Sequence, residues 1–278
     1  MSKLETMSTD ALLAHALEAA ENDPSGEDET RWAPIQQLHS RNESSIFDSA
    51  VKWCSSEKPW IKCLGADILG QLGCEEEEPP FVGPSEPILT TLLEESNEEV
   101  LTSALMALGH LEVGDLETIC RHQTHESEDV RYAVAYCMGP RGDDEARAVL
   151  ISLSADEDLD VRNWATFGLG TLSDVDSEAI REALVARLRD EDSEVRGEAL
   201  VGLAERGDAR AIPATLQELE QDEVSALVVA AAAKLPDPSF VPHLTDLAES
   251  YTDDEDIQLA LANCQGASSP EASDQEAN

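Results

Sequence analysis

The 278-residue chain sets 59 Asp and Glu against 18 Lys and Arg, a formal charge of -41, with 41% hydrophobic and only 4% aromatic residues. That charge argues against binding to nucleic-acid phosphates or anionic membranes, and no apolar stretch reaches the roughly 18 residues a membrane helix needs. The apolar load falls on Ala and Leu, enough for a continuous core and better suited to closely packed helices than to sheet.

Taken from the N-terminus, Met1 to Thr6 hold no apolar run of the signal-peptide kind. Residues 21–30 predict an acidic loop. Ile61, Gly65, Ile68, Leu69 and Gly70 predict a diverged second helix of a pair. Segment 75–87, four glutamates followed by Pro79, Pro80, Pro84 and Pro87, predicts a surface insertion. Ile88, Leu92 and Leu93 then lead to Val100, Ala104 and Leu108 at helical spacing. Ala146, Leu150 and Leu153 lead through the turn Asp156 to Asp158 into Val161, Ala165 and Leu169. Ile180, Leu184 and Leu188 lead through an acidic turn, with Asp192 or Ser193 as the cap, into Val195, Ala199 and Leu203. Ile212-Pro213 and Val241-Pro242 open a further matched pair 29 residues apart, each proline in a first turn where its missing N–H costs nothing.

The valines at 100, 130, 161 and 195 are separated by 30, 31 and 34 residues. A period in this range marks a stacked helical solenoid. The expectation is an all-α fold, an α-solenoid (superhelix) of about seven antiparallel helix pairs, forming one array over residues 1–264. Residues 265–278 are polar and free of aromatics, and are expected to be a disordered tail.

The recurring unit x-Asp-x-Val-Arg-x-x-Ala-x-x-x-Leu-Gly, whose Asp/Glu-Val-Arg signature is carried at 129–139, 160–170 and 194–204, resembles the HEAT repeat. It is most similar to the short bacterial form found in phycobilin lyases. The resemblance covers most of residues 84–235, and the units at 61, 100 and 224 lack the arginine. It implies an inter-repeat ladder in which Asp129, Asp160 and Glu194 of one unit approach Arg131, Arg162 and Arg196 of its neighbour. It also implies that the second helix of each pair lines the concave face.

With Val, Ala and Leu pointing into the core, the positions two and six residues after each valine face partly outward. These are Tyr132 and Tyr136, Asn163 and Phe167, Gly197 and Val201, and Thr102 and Met106. Tyr132, Tyr136, Asn163 and Phe167 form the candidate partner-binding patch, because exposed aromatic clusters often anchor partners. Trp164 is expected in the core. Gly109, Gly139, Gly168, Gly170 and Gly202 are expected to permit close helix approach or to end helices.

His122, His125 and Glu126 form the one histidine cluster, at a helix end just before a repeat turn, and no metal site is assigned there. Only His125-Glu126 matches the His-Glu pairs of the iron hydroxylases built from such repeats. No phosphate loop or nucleophile elbow appears, so neither catalytic residues nor cofactors are expected. Six cysteines, none in a Cys-x-x-Cys arrangement, point to reduced thiols in a cytoplasmic protein. Acidity of this degree serves a solvated surface, a basic partner or a salt-rich host, and the 13 Arg to 5 Lys are compatible with the last. The leading functional expectation is a non-enzymatic scaffold that holds a protein or peptide on its concave face, a basic partner being one option. The alternatives are a lyase-like or chaperone-like subunit resembling the phycobilin lyases, and an acidic decoy or immunity protein for a basic target.

Overall fold

The structure, a computed structural model, describes residues 4–24 and 29–267. Among these residues there is no strand, and sixteen helices follow as eight successive pairs, one more pair than the repeat count predicts. The fold is all-α, an α-solenoid of helix pairs. Two compact units divide between Val149 and Leu150.

The first unit holds α1 (Thr9–Asn22), α2 (Glu29–His39), α3 (Ser44–Cys54), α4 (Pro59–Leu69), α5 (Val82–Leu92), α6 (Glu98–His110), α7 (Leu116–Cys120) and α8 (Glu128–Met138). The division falls within α9 (Asp144–Leu153). The second unit holds α10 (Leu159–Gly170), α11 (Glu178–Arg187), α12 (Ser193–Glu205), α13 (Ala211–Leu219), α14 (Ala226–Lys234), α15 (Val241–Ser250) and α16 (Glu255–Ala267).

Within each unit the second helices of successive pairs make the tighter layer. In the first, α6 packs between α4 and α8; in the second, α12 packs between α10 and α14, and α14 carries α16. The repeat valines Val100, Val130, Val161 and Val195 are all buried, as are Leu108, Leu169 and Leu203. Small residues set the helix spacing. A Cβ on Gly202 of α12 would stand 2.5 Å from the Cα of Gly170 on α10, so the two backbones meet where no larger residue fits.

The turns before the second helices repeat one device. Asp158 accepts from the N–H groups of Asp160 and Val161 at 3.0 and 3.1 Å, and Asp192 accepts from Glu194 and Val195 at 2.8 and 3.1 Å. Asp192, not Ser193, is therefore the cap of α12. Asp254 repeats the pattern on Asp256 and Ile257. A carboxylate here satisfies the orphan donors of the first turn and faces the positive end of the helix dipole.

Three expected boundaries shift. The 75–87 insertion ends at Phe81, since α5 begins at Val82 and takes in Pro84 and Pro87. Pro84 lies in its first turn, where a helix has no N–H partner to lose. The acidic loop at 21–30 is shorter than drawn, with Asn22 closing α1 and Glu29 opening α2, while 25–28 lie outside the described residues. The last helix runs to Ala267 instead of stopping at 264, held by buried Cys264 and by Asn263 Nδ2, which donates to the Ala233 carbonyl at 2.9 Å. The rest of the expected tail, 268–278, lies outside the described residues.

Candidate binding cleft

The repeat arginines act first on their own turns. Arg131 donates through Nη1 to the carbonyls of His125 and Glu126, Arg162 to those of Asp156, Glu157 and Asp158, and Arg196 to those of Asp190 and Glu191. Asp156 and Asp190, five residues before the valine, accept from the N–H two residues on at 2.9 and 3.2 Å. His125 Nδ1 takes the same role, accepting from the Ser127 N–H at 3.1 Å. That one of the clustered histidines is thus a turn residue standing in for an aspartate.

The ladder's acids differ from the expected ones. Arg162 reaches Asp190 in the next turn (Nε to Oδ2, 2.9 Å), and Arg196 reaches Glu218 on α13 (Nε to Oε1, 2.8 Å). Asp160 and Glu194 instead occupy the exposed first turns of their helices. One residue before a buried valine, a side chain points around the helix toward solvent, whereas the turn acid of the next pair lies level with the guanidinium.

Tyr132 and Tyr136 stand on α8 of the first unit, Asn163 and Phe167 on α10 of the second, and all four are half-buried. The Tyr136 hydroxyl lies 2.9 Å from His110 Nδ1, and its ring packs where a Cβ on Gly109 would come within 2.6 Å. Phe167 tilts against Trp164, ring centroids 5.4 Å apart, so Trp164 is half-buried beside it and not in the core. Gly197 and Val201, at the equivalent outward positions of α12, are buried, because Leu227 of α14 covers Gly197.

Thr102 and Met106, by contrast, are half-buried. They line a cleft of about 420 Å3 in the first unit. α2 supplies Arg31 and Trp32, α4 supplies Cys63 and Asp67, α6 adds Glu98, Glu99, Ser103 and His110, and α8 adds Asp129. At its base Arg31 Nη2 donates to Asp67 Oδ2 at 2.9 Å, both side chains being buried. Burial pushes the Asp67 carboxyl up to about 6, against the opposing pull of Arg31 and of the Ser103 hydroxyl. Burial also pushes His110 below the ordinary imidazole range, so it stands neutral at pH 7. Cys63 is pushed up to about 11 by burial and is an inert thiol. Two polar atoms, Arg31 Nε and Thr102 Oγ1, are buried with no hydrogen-bond partner among the described residues.

The cleft as a whole is not legible in the sequence; only the spacing of its residues within single helices is. Cys63 and Asp67 recur at helical spacing beside the apolar stripe Leu64 and Ile68, and Glu99, Thr102, Met106 and His110 do so on α6. A second cleft, of about 470 Å3, lies in the other unit between Val224, Leu247, Tyr251 and Ile257. Its lining holds no unpartnered buried polar atom among the described residues.

A second overlooked device is structural. Arg206 donates to the carbonyls of Leu169, Gly170, Ser173 and Val175, and Arg141 to those of Val113 and Gly114. Each lies eleven residues after its repeat valine and is followed by Gly-Asp, a recurrence visible in the sequence.

A family model for HEAT repeats matches residues 85–170, 153–225 and 181–265. The chain belongs to the HEAT-repeat family. Among HEAT-repeat relatives it is similar to Protein YibA of Escherichia coli (strain K12), 28% identical over 241 residues that cover 83% of this chain and 84% of YibA. The X-ray structure of E. coli YibA superposes with a TM-score of 0.74 over 95% of this chain and 94% of that one, at 24% identity. A crystal structure of importin beta gives a TM-score of 0.55 over 92% of this chain and 43% of the importin, at 14% identity. These structural likenesses describe the HEAT-repeat fold.

Proposed function

We propose that this HEAT-repeat chain is a non-enzymatic scaffold that binds a protein or peptide partner on the face built by its second helices. The observation that carries the reading is the cleft of the first unit, where helices from four successive pairs leave about 420 Å3 open above two buried polar atoms that lack partners. Pockets of this kind, part apolar with a few convergent polar groups, are the default binding sites of a fold. Solenoid repeats also expose long surfaces on which a chain can lie. The charge of -41 favours a basic partner and speeds encounter with one. Tyr136, joined to His110 at the rim, extends the same surface along α8.

No disulfide joins the cysteines among the described residues, and five of the six are buried, which supports action in a reducing compartment such as the cytoplasm. No helix among the described residues is long and apolar enough to cross a membrane.

The test is a photo-crosslinking residue placed at Met106 in the cleft and, separately, at exposed Leu172. In native lysate the Met106 position is expected to yield a discrete protein adduct that the Leu172 position does not. No adduct, or the same adducts from both positions, would overturn the reading.

A further inference from the structure

We propose that the cleft of the first unit takes a lysine- or arginine-bearing segment of another protein, with a backbone carbonyl of that segment accepting from Arg31 and its cationic side chain lying among Glu98, Glu99 and Asp129. The proposal deepens the scaffold reading and rests on it.

Arg31 carries the argument. Its side chain is 3% exposed and lines the cleft, yet only Nη2 is spent on Asp67, and the buried Nε donor has no partner. A buried guanidinium N–H left unpaired is costly, and an incoming acceptor would relieve that cost. The acceptor is neutral. Asp67 already pairs with Arg31, and the three rim carboxylates repel an anion from the mouth. A peptide carbonyl meets both conditions, where a carboxylate or a phosphate would not. Thr102 Oγ1, also buried and unpartnered, can accept from or donate to the same backbone.

The rim selects the side chain. Glu98, Glu99 and Asp129 are exposed, and His110 adds no positive charge at neutral pH. Beside them Trp32, 37% exposed and already carrying the Arg31 guanidinium 5.8 Å from its ring centroid, and Met106 offer apolar surface to the alkyl stem of a lysine or arginine. A volume of about 420 Å3 is at the small end for ligand pockets, enough for a short run of chain.

A protein of charge -41 attracts any cationic peptide, so the test must separate the cleft from the bulk field. The probe is a fluorescein-labelled peptide of alternating Gly with Lys or Arg, titrated with the full chain at about 0.15 M salt and read by anisotropy. Saturable one-to-one binding is expected, about tenfold or more weaker for the peptide with Gln in place of each cation. The double variant Glu99→Gln, Asp129→Asn should weaken binding about tenfold, while Asp222→Asn, Asp256→Asn, with the same loss of charge in the second unit, leaves it within about twofold. All four side chains are exposed, and the comparison counts only with both double variants melting at the temperature of the parent. Spermidine, a polycation without a carbonyl, should compete at least about tenfold more weakly than the unlabelled peptide. Equal losses from the two double variants, equal binding of the Gln peptide, or equal competition by spermidine each overturn the proposal. If the Met106 crosslink captures a protein while no basic peptide binds, this inference fails and the scaffold reading stands.

Discussion

Arg162 and Asp190 form a two-pronged ion pair across successive helix pairs of the second unit, Nε to Oδ2 at 2.9 Å and Nη2 to Oδ1 at 3.2 Å. The remaining guanidinium nitrogen holds the carbonyls of the preceding turn. One side chain therefore closes its own turn and fixes the register of the next. Both partners are nearly buried. Arg162→Ala would strip Asp190 of its two-pronged partner and leave it only Arg187, whose Nη1 lies 3.3 Å from Oδ2, and a loss of about 1–3 kcal/mol is expected in urea unfolding. Arg162→Lys should recover only part of it, because an ammonium cannot span both oxygens and the turn. A lysine variant as stable as the parent would show that the fork geometry is idle.

Arg206 ties the end of α10 and the loop after it, through the carbonyls of Leu169 and Gly170 in the helix and of Ser173 and Val175 in the loop. Arg206→Lys is expected to raise amide hydrogen exchange across residues 171–176, with smaller effects in α14. Uniform acceleration over the whole second unit would instead mean that the arginine supports the core.

The close approach of α10 and α12 predicts a contrast between two glycines. Gly202→Ala would drive a Cβ to 2.5 Å from Gly170 Cα, and overpacking of this kind costs about 1–3 kcal/mol. Gly266 sits in α16 with nothing within 4 Å of an added Cβ. Gly266→Ala should therefore stabilise by about 0.5–1 kcal/mol through helix propensity alone. Thermal melts of the two variants should move in opposite directions.

Tyr136 donates to or accepts from His110 and fills the space left by Gly109. Tyr136→Phe keeps the ring and removes the hydroxyl, for an expected loss of about 1 kcal/mol. Tyr136→Ala opens a void beside Gly109 and should cost about 3 kcal/mol. A solvent-facing tyrosine would give two near-neutral variants, so denaturant midpoints distinguish the cases.

Two buried carboxylates predict pH effects of opposite sign. Asp67 is raised to about 6 by burial. Between about pH 4, where the unfolded chain loses this proton, and pH 6, the folded protein holds it, and stability falls as pH rises. The parent should lose stability relative to Asp67→Asn across that window, and hold a constant difference above it. At Asp190 burial works upward, but the hydrogen bonds from Arg162 prevail and hold its carboxyl below the usual range. Its contribution is complete above the ordinary aspartate value near about 4 and is lost as pH falls through the lower folded value. The difference between the parent and Asp190→Asn should therefore shrink only in acid. Stability curves of the two variants that run parallel would contradict the assignment.

Some of this could be read without coordinates, and the reasons are local. Val161, Ala165 and Leu169 repeat at helical spacing after an Asp turn, and a valine period near thirty residues leaves few architectures besides stacked helix pairs. The caps Asp158 and Asp192 belong to the same short-range grammar, since each bonds within three residues of itself. The boundaries at Val82 and Ala267 do not show in the sequence, because Pro84 in a first turn, Pro87 within the helix and a polar last turn read as loop until the neighbouring helix is placed.

What the amino-acid order determined by itself, then, was the all-helical repeat, its phase and its buried stripe, all of which follow from contacts between residues close in the chain. Tertiary structure alone decided which acid meets Arg162, since Asp190 lies 28 residues away and only stacking brings it level. It alone decided that Gly197 is buried under Leu227 while Thr102, half-buried, lines a cleft, because that depends on what the next helix carries. It also assembled Arg31, Asp67, Thr102 and Asp129 into one cleft. Those residues come from four helices with no common sequence pattern, and their burial, with the unmet donor it creates, is a property of the packed unit.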